Sequence, residues 1–283
     1  MKPVLTAAIL SFAALSTHAD ETNLLGEISF PNSGAPEAQA DFLEGVLFMH
    51  NFEYDEANDA FLRAQEIDPD FAMAYWGEAM VYNKPIWQMQ SKQAGIDALR
   101  KLGRTPEERA AKCPTQREKD YLHCVEILYG EVEPGIGKPK DARDDLYREA
   151  MRRLQEKYPD DNEAISFYGL SILGSNHKGR DFADYMRAAA TLTTVWDRNR
   201  NHPGAAHYLI HSYDDAVHAP LGLPMARKYS KIAPSAAHAQ YMTSHIFVAL
   251  GMWEDLVYAN EVAIEVENKG NLAREERPLV SGH

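Results

Sequence analysis

Residues Gly45–Asp70, GVLFMHNFEYDEANDAFLRAQEIDPD, carry the spacing that decides the fold. Gly45 and Ala57 are small, so two antiparallel helices can approach closely. Phe48, Tyr54 and Phe61 fill the space between them, Ala64 continues the same face, and Pro69 stops the second helix. A second unit opens at once in FAMAYWGEAMVY, where Gly77 lies 32 residues after Gly45. Near the other end HAQYMTSHIFVALGMWEDLVYANEVAI repeats the scheme: Gly251 turns between helices, Trp253 packs the turn, and Ala263 is the small residue of the second helix. Pro159 and Pro234 each end a helix just before another begins. Strand signals are nearly absent, and long helical patterns are punctuated by Pro, Gly and Asp-rich turns, so the fold class is all-α.

A helical hairpin repeating at this interval resembles the tetratricopeptide-repeat family. The first unit is a specific match and the last a good one. Residues 140–234 are degenerate, and 88–139 fit least. That irregular part holds shorter helices: TPEERAAK, with Thr105 as cap and Pro106 at the first helical position, then TQREKDYLHCVEILYG. The resemblance covers residues 38–268 and implies a right-handed solenoid of antiparallel helix pairs, each burying its apolar face on its neighbours. AYWGEAM, HPGAAHYLIH and SHIFVALGMW also resemble motifs of a group of secreted bacterial tetratricopeptide proteins without an assigned activity. Residues 20–37 read as an N-terminal extension. Residues 269–283 read as a tail with no polar capping helix, either a frayed end or the mark of a shortened chain.

The chain has 283 residues, 45% of them hydrophobic, and a net charge of −13. With 42 acidic against 29 basic residues, little would neutralise phosphates, which argues against a nucleic-acid partner and an anionic membrane surface. Met1–Lys2, the apolar run Val4–Leu15 and the small residues up to Ala19 read as a secretory signal peptide, cleaved after Ala19. The expected location is periplasmic or secreted, with no membrane span in the mature chain. Cys113 and Cys124 would stand about 13 Å apart along one helix if it began at Pro114–Thr115. That argues against a bridge unless the preceding segment folds back.

Six of the eleven histidines fall between 202 and 245. The tetratricopeptide resemblance implies that repeat positions 2, 5, 9, 12 and 13 face the concave groove. Taking Gly251 as position 15 puts His238 at position 2 and His245 at position 9. His211 lies 34 residues before His245 and is also position 9, with His207 at position 5. Glu78 is position 9 of its unit and His50 position 13 of the first. His207 and His211 are then i and i+4 on one face, and four imidazoles line one stretch of groove.

Two functions follow. One is a non-catalytic groove in which His50, Glu78, His207, His211, His238 and His245 make hydrogen bonds to a peptide or protein partner. The other is a metal-binding protein or metalloenzyme using His207, His211, His238 and His245. Imidazole pairs at i, i+4 suit Zn or Cu, with Asp214 or Asp215 as ligand or as acceptor for a ring N–H. No HExxH, paired-cysteine or EF-hand motif accompanies them, so no cofactor and no catalytic residue is assigned. His202, before Pro203, reads as a cap or packing residue. His218 reads as a turn residue, and His177 lies in a connection. Glu78 reads as an acid–base group or, more simply, as an anchor between stacked helices. Trp76, Trp87, Trp196 and Trp253 read as core, and Asn83–Trp87 as a helix ending at Lys84 before Pro85. GEVEPGIGKPK lacks the phosphate-loop lysine, and YGLSILG lacks nucleophile-elbow spacing.

Overall fold

The structure, a computed structural model, describes residues 24–273. The signal peptide read in residues 1–19 and the end of the tail lie outside the described residues. Thirteen α-helices form among the described residues: α1 (Gln39–His50), α2 (Tyr54–Ile67), α3 (Ala72–Val81), α4 (Lys92–Leu102), α5 (Pro106–Ala111), α6 (Gln116–Tyr129), α7 (Lys140–Lys157), α8 (Asn162–Gly174), α9 (Phe182–Arg198), α10 (Pro203–Tyr213), α11 (Ala219–Ile232), α12 (Ala237–Ala249) and α13 (Trp253–Ala273). Short turns make successive helices antiparallel, and each packs on the next to give a tetratricopeptide-like, all-α stack. None of the described helices is long and apolar enough to cross a membrane.

Phe61 explains the first repeats. A Cβ on Gly45 would come within 2.7 Å of its ring, and one on Gly77 within 2.3 Å. One aromatic side chain thus packs directly on the backbones of α1 and α3, which only glycine permits. Thr105 and Thr115 cap α5 and α6 in capping boxes closed by Glu108 and Glu118. Cys113 and Cys124 are free and buried, and burial pushes both thiols up to about 12.

Helices alternate in character. All of α3 is buried, as is nearly all of α8 and α10, whereas α2, α4, α9 and α11 bury one stripe. A helix apolar all round belongs inside. Accordingly α10 packs on α1 as well as on α8, α9, α11 and α12. Beyond the burial of each unit on its neighbours, helices far apart along the chain meet at this point. The stack closes on itself, and part of its inner wall becomes core. The N-terminal extension also joins the core: Leu25 and Phe30 are buried, Asn51 Nδ2 donates to the Leu25 carbonyl at 3.1 Å, and Ser33 donates to Glu118.

Two further expectations need correction. α3 ends at Val81 rather than Lys84, because Asn83–Lys84 pairs with Met89–Gln90 as two short antiparallel strands, β1 and β2. The residue before Pro85 is held extended there, as sterics favour. Trp76 and Trp196 are core, but Trp87 is 46% and Trp253 63% exposed. Trp87 sits on the loop between β1 and β2, and Trp253 begins the last helix, where no further repeat covers it among the described residues.

Candidate metal centre

α10 and α12 lie side by side and bring three of the sequence-predicted residues together. His207 Nε2 lies 3.1 Å from His211 Nε2 and 3.2 Å from His238 Nε2. One nitrogen from each ring lies within 4.8 Å of the others. His207 and His211 share a face of α10, one turn apart, and His238 projects from the first turn of α12. Its backbone N–H donates to Glu53 Oε1 at 2.9 Å, which fixes that turn.

The hydrogen bonds assign the tautomer of the central ring. His207 Nδ1–H donates to the His50 carbonyl oxygen at 2.7 Å, so its Nε2 carries a lone pair. Two other imidazole nitrogens face that lone pair, although one lone pair accepts one N–H well. Burial, reinforced by the neighbouring imidazoles, pushes His207 and His211 well below the ordinary histidine range. Neutral rings with convergent lone pairs are the state that metal ligation requires. Phe52 closes the inner side: its ring centroid is 4.2 Å from that of His207 and 5.5 Å from that of His238. It holds a left-handed backbone, φ 59°, a strained conformation for an aromatic residue and one that recurs at functional sites.

His245 stands one step away. Its ring centroid is 6.3 Å from that of His211, and its Nδ1–H donates to Asp214 Oδ2 at 2.8 Å. Asp215 instead engages the ring of His218. Tyr241 lies between His238 and His245 on the same face of α12, with ring centroids at 6.1 and 5.2 Å.

His50 and Glu78 part from the other four. His50 is fully buried by the closure of α1 on α8 and α10, and it joins a second histidine cluster. Its Nε2–H donates to Glu163 Oε2 at 2.6 Å, and its Nδ1 accepts the Tyr208 hydroxyl at 2.9 Å. His202 Nε2–H donates to Glu163 Oε1 at 3.1 Å, while His202 Nδ1 caps α10 by accepting from Ala205 N–H at 3.1 Å. Burial alone would raise the Glu163 carboxyl; His202 and His50 hold it instead at about 2. Each of the four ring nitrogens and both carboxylate oxygens has a protein partner, so this trio is a lock between helices with no ring nitrogen left for an ion. Glu78 is likewise an anchor: buried, it accepts from Gln65 Nε2 at 2.7 Å and pairs with Lys101. A third group, Asp141, Asp144 and His177, brings its ligand atoms together, but the Lys140 ammonium already lies 2.6 Å from Asp144.

The sequence reading missed Glu163, Tyr208 and Phe52. Glu163 offers only its place in the first turn of α8 as a signal, and the other two look like ordinary packing residues.

No protein-family model matches the chain, and no curated protein matches it. Among solved structures it is similar to YrrB, a TPR protein with an unusual peptide-binding site, at 18% identity and TM-score 0.35 over 71% of this chain and 89% of that one. It is also similar to the TPR2AB domain of yeast Sti1 in complex with pHSP90, at 16% identity and TM-score 0.34 over 84% of this chain and 95% of that one.

Proposed function

We propose that the protein binds a transition-metal ion through His207, His211 and His238, and that it works outside the cytoplasm, a location resting on the composition of residues 1–19. The observation that carries the metal reading is the convergence of three Nε2 atoms at 3.1 and 3.2 Å around a ring whose other nitrogen is already committed. Two nitrogens bound to one tetrahedral ion at 2.0–2.1 Å stand about 3.3 Å apart, close to this spacing. The His50 carbonyl supplies the partner that a ligating histidine needs on its far nitrogen. Zn and Cu are the ions that neutral imidazoles favour here.

Elemental analysis of protein purified without an affinity tag tests this reading. Near-stoichiometric zinc or copper, absent from the variant carrying His207→Ala and His211→Ala, supports it. A folded protein that takes up neither ion when supplied with it refutes it.

Binding of a peptide or protein segment is the second reading, favoured by one feature. Beside His238 opens a cleft of about 400 Å³, lined by the rings of Phe52, Tyr54, Trp87 and Tyr241 and by Lys84. Its size and lining suit the side chains of a guest. The guest would lie on α12, α13 and the β1–β2 loop rather than on the buried inner wall.

A further inference from the structure

We infer that the metal centre and the cleft form one binding site, whose ligand is a carboxylate with an aromatic or apolar body. The inference rests on the metal reading above.

His238 belongs to both features: its Nε2 is part of the imidazole trio, and its side chain is a wall of the cleft. Three nitrogens do not complete the tetrahedral coordination of zinc, which takes four donors. His245 does not supply the fourth in this arrangement, since its nitrogens fall outside the converging set. A donor from outside the chain has a place there.

Charge decides what that donor is. Three neutral imidazoles leave the whole charge of a divalent ion uncompensated, and in a largely buried site the ion is the dominant local charge. Asp214 and Glu53 keep their charge near the trio, but their oxygens bond to His245 and to the backbone N–H of His238 and neither joins the converging set. Lys84, whose ammonium lies 5.0 Å from the Tyr54 ring centroid, adds a second positive group at the cleft. Glu53 and Glu267 also line the cleft, so with Lys84 its lining carries one net negative charge, and a bound divalent ion still leaves the site net positive. An anionic oxygen donor offsets the charge of the ion, while the four aromatic rings receive the body behind it. A peptide C-terminus and a free aromatic acid share this chemistry.

Calorimetric titration of the full chain, with and without one equivalent of zinc, tests the inference. The probes are N-acetyl-Ala-Phe with a free carboxylate, the same peptide as its C-terminal amide, and phenylacetate. The zinc-loaded protein is expected to bind the acid at least about tenfold more tightly than the amide, as neutralisation of a bound cation demands. The zinc-free protein loses that preference. Trp87→Ala weakens acid binding with zinc still bound one to one. Acid dipeptide tighter than phenylacetate identifies a peptide C-terminus as the source; equal binding identifies a free acid. Equal affinity for acid and amide, or acid binding independent of zinc, overturns the inference while leaving the metal reading intact. Failure to load zinc, read separately by elemental analysis, overturns both.

Discussion

Two histidine clusters meet at one residue of this chain and differ in burial and in what their ring nitrogens face. In the trio of His50, Glu163 and His202 every ring nitrogen has a protein partner, and all three residues are fully buried. In the trio of His207, His211 and His238 the nitrogens face one another, and two of the residues are only partly buried. His50 joins the two: its side chain belongs to the sealed cluster, and its carbonyl oxygen orients His207 of the open one. The same residue type therefore serves opposite ends. What separates a lock from a ligand set is where the second proton or lone pair of each ring is spent.

The comparison predicts that the clusters respond differently to the same kind of substitution. Glu163→Ala leaves two buried imidazole N–H groups without an acceptor. It should cost about 3–5 kcal/mol, the range for removing one partner of a buried charged network, read as a shift of the urea unfolding midpoint. A cost near zero would show that the sealed trio is no lock. His211→Ala reverses the pattern: zinc affinity should fall by at least about 100-fold, while stability of the metal-free protein changes by less than about 1 kcal/mol. Competition with a chromogenic chelator measures the first, and unfolding in a chelating buffer the second.

Acid should separate the clusters as well. His207 and His211 are lowered from the ordinary 6.5 on folding, and His50 is lowered too, chiefly by burial. Below about pH 6.5 the unfolded chain takes up protons that the folded one refuses. Stability of the metal-free protein is therefore fully present above that pH and declines below it, by about 1.4 kcal/mol per pH unit for each such proton. Glu163, held at about 2 against 4.5, contributes stability above pH 4.5 and loses it only as pH falls from 4.5 towards 2. Unfolding free energies at several pH values should show two limbs, and replacing His207 and His211 by Ala should flatten the upper one only. The smallest effect belongs to Tyr208→Phe, which removes the hydroxyl donated to His50 and should cost about 1 kcal/mol without altering zinc stoichiometry.

Local pattern made much of this legible. Phe61 between two glycines, the threonine caps of α5 and α6, and the i, i+4 spacing of His207 and His211 are consequences of helix geometry, which is written in short windows. The repeat register also linked His238 to the pair, although 31 residues separate it from His207. The closure of α1 on α10 was not legible, because His50 and Tyr208 meet across 158 residues and no periodicity encodes that contact. That closure placed His50 in the core instead of on an open groove. Similarly, Trp87 reads as core from its residue type alone, whereas the pairing of β1 with β2 puts it on an exposed loop at the cleft.

The central claim is that three imidazole nitrogens share one ion. Anomalous diffraction at the zinc edge, from crystals of the untagged protein grown with equimolar zinc, tests it most directly. The account predicts one strong peak about 2.1 Å from the Nε2 atoms of His207, His211 and His238. Fully occupied zinc held elsewhere, or three ordered rings with no peak between them, would contradict it.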